Sequence, residues 1–401
     1  MKETGGYKNK FVINFVTLKQ TSIDNSRRRL NLPATASHQQ HYALHMLYSM
    51  GYVFQDKYSA KFHDEFIRFA KNEDQFNDRI LVVKLDVTEI CYYLKEKLQE
   101  NHCYGLKMIF KDYPNYIQQK RQESSNNNTL SYKIGCVSLT PLRLVYQPMT
   151  SSIGNRVIRN PEFGGADNFL LVHIREEDNQ PLKDFDSSVR RRLKRKMANG
   201  IQVMGKTYRL FGTSTSQMKE MSFWFLDLKN RSLEDAWKLL GDFNSIKNVA
   251  QYVARIGLFF STARRTNLSF QYVEKILPNM KLVVTMIDDE EIPEKGYCFT
   301  DGIGKMSWAT AALIAKQLDI PVQCKEDIPS AYQVRIAGCK GMLAIDPESN
   351  MDDSLYIKVR PSMQKFHSDN WELEICDHSR PRKSLSTVSK KQTIFVYLSI
   401  F

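Results

Sequence analysis

The sequence predicts an α+β protein built in three textures, and three observations carry that reading. Apolar residues recur at helical spacing before about residue 117; strand-like runs alternate with helices from Tyr132 to about Pro293; short, glycine-punctuated strands follow from Glu294. The first texture shows Leu44, Leu47 and Met50, then Phe62, Phe66, Ile67 and Phe69. The tract "QQKRQESSNNNTLS", Gln118–Ser131, is polar throughout and reads as a linker between residues 1–117 and 132–293.

In the second texture the runs "FLLVHIRE", "TYRLFGT" and "SFWFLDL" read as strands. A helix is marked in "FNSIKNVAQYVARIGLFFSTA", with Ser245 as its expected N-cap and Val249, Tyr252, Val253, Ile256, Phe259 and Phe260 as its apolar stripe. Another lies in "KDFDSSVRRRLKRKMANG": Asp186 sits where a cap belongs, Val189, Leu193 and Met197 share a face, and Gly200 closes it. The "DDEE" run, Asp288–Glu291, reads as a solvated loop, because adjacent like charges repel.

The third texture, residues 294–380, opens on "YCFTDGIGKMSW". Glycines, a lysine and the helix start at Ser307 suit a phosphate loop. A Walker A loop is excluded, since that pattern requires glycine where Phe299 stands. In "AYQVRIAGCKGMLAIDP", Gln333 and Arg335 take one face of a strand, and Tyr332, Val334 and Ile336 the other; Gly338 and Gly341 flank Lys340. In "LYIKVRPSMQKF", Tyr356, Lys358 and Arg360 share a face, with Lys365 beyond Pro361. With Lys305 these cations suit phosphate binding, Arg as a bidentate fork and Lys as a point charge; a solvated basic face on a small sheet is the alternative.

Charge supports a polyanion partner: 57 Lys and Arg against 44 Asp and Glu give +13. The run "RRRLKRK", Arg190–Lys196, fits either a nucleic-acid contact or a solvated helix face. Seven scattered cysteines without a C-x-x-C pair suit reduced thiols rather than a disulfide framework. His38, His41 and His45 could share a helical face and hold zinc, but lack a cysteine or carboxylate companion at ligand spacing, so a polar helix surface is the simpler reading. No nucleophile elbow or protease-like cysteine loop is present. The polar start "MKETGGYKNK" has no signal-peptide core, and no apolar run reaches the roughly 20 residues of a membrane span. The expectation is an intracellular protein, cytoplasmic or nuclear, with no membrane partner.

The blocks "YCFTDGIGKMS", "PSAYQVRIAGCKGMLAIDP" and "LYIKVRPSMQKFHSDNWELEI" occur in order and resemble the eukaryotic cell-encoded RNA-dependent RNA polymerases of RNA silencing. Upstream, "LTPLRLVYQ", "IGNRVIRNPEF", "FLLVHIREED", "GKTYRLFGTSTSQMKEMSFWF" and "GDFNSIKNVAQYVARIGLFFSTA" extend the resemblance across about residues 136 to 380. It implies a core of two double-psi β-barrels, the first supplying cations and the second an Asp-x-Asp-Gly-Asp loop that binds Mg2+. It further implies single-stranded RNA template and nucleoside triphosphates as substrates, RNA-silencing proteins as partners, and double-stranded RNA for small-RNA silencing as product. Arg335, Lys340 and Lys365 are the expected phosphate contacts, with Lys305 and Arg360 next. No Asp-x-Asp-Gly-Asp occurs in the 401 residues, and the stretch from 381 to 401 departs from the family pattern. The expectation is therefore a truncated polymerase holding the first barrel without the second, or a non-catalytic RNA-binding or regulatory fragment that uses the basic barrel.

Overall fold

The computed structural model describes residues 36–49, 87–99, 115–116, 118–119, 131–182, 186–266, 268, 282–292, 296–350 and 354–380. The helical spacing expected around Phe62–Phe69, most of the polar tract and the tail from 381 lie outside the described residues. Two compact units emerge, one from residues up to 152 with 164–211 and 216–229, the other from 153–163, 212–215 and 230–401.

In the first unit, helices α1 (His38–Ser49) and α2 (Val87–Gln99) accompany a six-stranded sheet. Its strands are β1 (Tyr132–Leu139), β2 (Leu144–Ser152), β3 (Phe169–Ile174), β4 (Ile201–Val203), β5 (Lys206–Gly212) and β6 (Ser222–Asp227), in the order β2-β1-β3-β6-β5-β4. Strands β1 and β3 run parallel; β1–β2, β3–β6 and β4–β5 are antiparallel. Apolar alternation explains the layer: Val137, Leu170, Val172 and Phe225 join Leu44 and Leu47 of α1 in one core. Tyr42 from α1 ties helix to sheet, its hydroxyl bonding both the carbonyl and the N–H of Cys136. Burial pushes that phenol well above its ordinary pKa. The three histidines are half-buried on this core helix rather than on a polar surface, and His45 stacks on Tyr146 at 6.0 Å.

The short helix α3 (Arg156–Arg159) belongs to the second unit, and the basic helix of the first unit follows β3 and precedes β4 in the chain. It is α4 (Ser187–Asn199), capped by Asp186, whose Oδ1 accepts from the N–H groups of Ser188 and Val189. Gly200 ends it at φ 88°. Helix α5 (Thr215–Lys219) follows.

The second unit holds helices α6 (Leu233–Lys238), α7 (Val249–Ile256) and α8 (Trp308–Gln317). Its strands are β7 (Arg264–Arg265), β8 (Val283–Met286), β9 (Glu291–Ile292), β10 (Tyr297–Cys298), β11 (Ile303–Met306), β12 (Ala331–Ile336), β13 (Cys339–Ile345), β14 (Tyr356–Val359) and β15 (Glu374–His378). Seven form a mixed sheet in the order β7-β15-β12-β13-β11-β14-β8, and β9 and β10 pair separately. Tyr332, Val334, Leu343 and Ile357 fill its core. Ser307 caps α8, accepting from Thr310 N–H.

Two local expectations change. Asn248, not Ser245, caps α7, because its side chain accepts from Gln251 N–H; the helix is therefore shorter, and a 3-10 turn over Gly257–Phe260 continues it. Its apolar stripe is buried at Ile256, Phe259 and Phe260 but exposed at Val249. The acidic run is not a free loop either. The Asp288 carbonyl and the Glu290 carboxylate receive Arg360, while Asp289 takes both the N–H and the hydroxyl of Ser362. Arg360, far along the chain, pairs with the exposed Glu290, and Ser362 hydrogen-bonds Asp289.

Candidate phosphate-binding site

The β12–β13 hairpin builds the candidate site. Its two turn residues, Ala337 (φ 42°) and Gly338 (φ 78°), both adopt positive φ, as a two-residue turn matching strand twist requires. A Cβ on Gly338 would stand 2.1 Å from the Phe366 carbonyl oxygen, so only glycine lets the 364–366 segment approach. That segment locks on through Lys365 N–H to the Gly338 carbonyl (3.0 Å) and a bridge between Cys339 and Gln364.

The hairpin register places Arg335 directly opposite Lys340. The clasp brings in Lys365, whose ammonium also bonds the Ser362 carbonyl. Helix α7 contributes a fourth cation, Arg255, which was not among the expected residues. Burial first, and then the charges of Arg335, Lys365 and Arg255, push Lys340 below the ordinary lysine value. Burial also lowers Arg335, which is 9% exposed and donates from Nη1 to the Val334 carbonyl. The Nε atoms of Arg335 and Arg255 are both buried without a hydrogen-bond partner. Three expected residues, Arg335, Lys340 and Lys365, therefore meet.

The other two expected cations lie apart from this group's contacts. Lys305 and Lys358 share the buried Asp346 carboxylate at 3.4 and 2.9 Å, with the Tyr356 hydroxyl on the same carboxylate at 3.1 Å. Antiparallel pairing of β11 with β14 puts the two lysines opposite each other, and the β13 end supplies the acid between them. Burial opposes ionisation of Asp346, but hydrogen bonds from Lys358 and Tyr356 and the charge of Lys305 outweigh it and hold the carboxyl below the usual range. Arg360 is 4% exposed and fully engaged, with Nε on the Ile303 carbonyl at 2.9 Å and its other nitrogens on Asp288 and Glu290. Its geometry is that of a strut, not a free anion receptor.

Because the folded pKa of Asp346 is depressed, its stabilisation is full above the unfolded value of about 4 and is lost as pH falls through the folded value. Asp346→Asn should cost about 1–3 kcal/mol near neutrality. The variant should also lose less stability than the native chain between about pH 5 and pH 2. Urea unfolding at a series of pH values checks this; parallel pH profiles would remove Asp346 from the account.

Behind the hairpin lies a buried ion triad. Glu374, opposite Arg335 in the sheet register, receives Arg156 Nε at 2.9 Å and Arg159 Nη2. Arg156 further donates to the carbonyls of Arg335 and Glu372. The Arg-x-x-Arg spacing in "NRVIRNPEF" puts both guanidiniums on one turn of α3, the only local hint of this pairing.

A divalent metal is implied by the resemblance, and the residues do not fit one. Among the described residues no group of three or more His, Cys, Asp and Glu could hold a metal ion, and Asp346, Asp289 and Glu374 are each committed to protein donors.

A family model described as RNA dependent RNA polymerase matches residues 139–396. RNA-dependent RNA polymerase 1 of Arabidopsis thaliana is 33% identical over 260 residues, covering 61% of this chain and 22% of that protein. RNA-dependent RNA polymerase 1 of Schizosaccharomyces pombe is 29% identical over 269 residues, covering 64% of this chain and 20% of that protein. The chain thus spans about a fifth of the length of these relatives. The solved RNA dependent RNA polymerase QDE-1 from Thielavia terrestris shares the fold at TM-score 0.51 and 18% identity, over 88% of this chain and 38% of that one. The match over residues 139–396, more than half of the chain, makes this protein a member of the RNA dependent RNA polymerase family.

Proposed function

We propose that these residues form the phosphate- and RNA-holding part of a template-directed RNA polymerase, acting on single-stranded RNA and nucleoside triphosphates in small-RNA silencing. The observation that carries this reading is the meeting of Arg335, Lys340, Lys365 and Arg255 at one hairpin, with two guanidinium Nε atoms buried and unpartnered. The carboxylate acting on Arg335, Glu374, is already shared by two other arginines, so the cluster keeps its excess positive charge. Buried and half-buried cations in that state favour an anion with several acceptor oxygens, which a triphosphate or a strand backbone offers. Residues 294–380 would be the first of two double-psi barrels, and Mg2+ would be held by acids other than those described here.

On this reading the 401-residue polypeptide binds single-stranded RNA with an affinity that falls steeply with salt, and by itself incorporates no nucleotide. Fluorescence anisotropy with a labelled RNA oligomer at several salt concentrations measures the first, with a slope of about −0.7 per neutralised phosphate. Binding that is flat with salt would refute the phosphate-holding reading. Template-dependent incorporation by purified polypeptide would refute the placing of the metal ligands elsewhere.

A further inference from the structure

Helix α4 carries a charge pattern that the hairpin site does not use. Six of its residues between Arg190 and Lys196 are cationic, and the helix itself contains no acid. Leu193 is 6% exposed, and Val189 and Met197 pack with it on the first-unit core, so the cations occupy the remaining arc. Arg191, Lys194 and Arg195 are exposed, and no ion pair to a carboxylate is found for them among the described residues. Arg191 stands one turn from Arg195 and three residues from Lys194, so like charges repel along the helix. Arg190 also sits in its first turn, against the helix dipole.

Two further contacts fix the face. Arg192 Nη2 donates to the Leu142 carbonyl at 2.6 Å, and exposed Arg209 of β5 donates to the Ala198 carbonyl at 3.2 Å, adding a seventh cation at the C-terminal end. The helix is therefore a held platform whose own repulsion a polyanion would relieve.

We infer that the outer face of α4 is a docking surface for the phosphate backbone of double-stranded RNA. Charge complementarity selects a phosphate polymer, and the arginine-rich face offers planar forks for phosphate oxygens. The duplex form fits what the helix lacks: "SSVRRRLKRKMAN" contains no aromatic ring on which unpaired bases could stack, whereas a duplex keeps its bases stacked on one another and offers its phosphates and 2′-hydroxyls. A membrane surface fits less well. The apolar stripe of α4 is turned inward, and Leu142, 66% exposed beside Arg192, offers too little apolar area to enter a headgroup layer. The inference rests on the polymerase reading for its choice of RNA, but it uses different residues.

The test compares the native 401-residue chain with Arg191→Gln/Lys194→Gln/Arg195→Gln. Three probes are titrated across salt: a blunt RNA duplex of about 20 base pairs, a single-stranded RNA of equal length, and vesicles containing anionic phosphatidylserine. Three lost phosphate contacts should weaken duplex binding by about tenfold or more and flatten its salt slope by about 2 to 3. Single-stranded RNA binding should stay within about twofold, because the hairpin cluster is intact. Circular dichroism confirms the fold, and Arg191→Lys/Arg195→Lys should retain the salt slope, since charge is kept. Unchanged duplex affinity and slope overturn the inference, as does loss confined to vesicle binding. Failure of the hairpin reading is separate: it appears as single-stranded RNA binding that survives removal of Arg335 and Lys340.

Discussion

Replacing Glu374 by alanine is expected to cost about 3–5 kcal/mol of stability. The side chains of Arg156 and Arg159 are each only 9% exposed, and Glu374 is 2% exposed. Removing the acid leaves two guanidiniums buried without a counter-charge. Arg156 keeps its bonds to the Arg335 and Glu372 carbonyls, but these do not neutralise it. Glu374→Gln should be milder, because an amide oxygen still accepts from one arginine. The triple variant Glu374→Leu/Arg156→Met/Arg159→Met should recover most of the loss, since no charge is stranded. Urea unfolding followed by tryptophan fluorescence measures all three. A loss below about 1 kcal/mol for Glu374→Ala would show that water reaches the arginines and that the triad does not hold the 153–163 segment to the sheet.

The triad also shows where sequence reading stops. Alternation along "AYQVRI" put Tyr332, Val334 and Ile336 on one face and Arg335 on the other, and the first three are buried; the caps at Asp186 and Ser307 followed from residue type alone. These are local properties, fixed within a turn or a strand. The pairing of Arg156 with Glu374 joins residues 218 apart, and beyond the Arg-x-x-Arg spacing nothing local announces the acid. Arg255 was missed for the same reason: nothing local distinguishes one cation near the end of a helix, and only the fold sets it beside Lys340. The acidic run misled in the opposite direction, because Arg360 pairs with Glu290 and Ser362 hydrogen-bonds Asp289 from 70 and 73 residues away. Arg360 was thereby moved from candidate receptor to structural strut. Family resemblance supplied the order of blocks, and it singled out Arg335, Lys340 and Lys365 together; the electrostatics of the cluster came only with the fold.

Those electrostatics give the second large effect. Arg335→Ala/Lys340→Ala should weaken single-stranded RNA binding by about 100-fold, the equivalent of two charge-assisted contacts of about 1.5 kcal/mol each. The salt slope should flatten by about 1 to 1.5. Because burial and three neighbouring cations already depress the Lys340 pKa, a bound anion raises it, and binding takes up a proton when that lysine starts neutral. Affinity should therefore be highest at low pH and decline as pH rises through the depressed value, below the usual lysine range near about 10.4. Lys340→Arg supplies a charge that does not titrate there, so its affinity should stay level over the same interval. Isothermal titration in two buffers of different ionisation enthalpy reports the proton uptake directly. If Lys340→Arg and the native chain fall together with pH, the titrating group lies elsewhere. If the double variant keeps its salt slope, the hairpin cluster does not touch the strand, and the two buried Nε atoms serve only the fold.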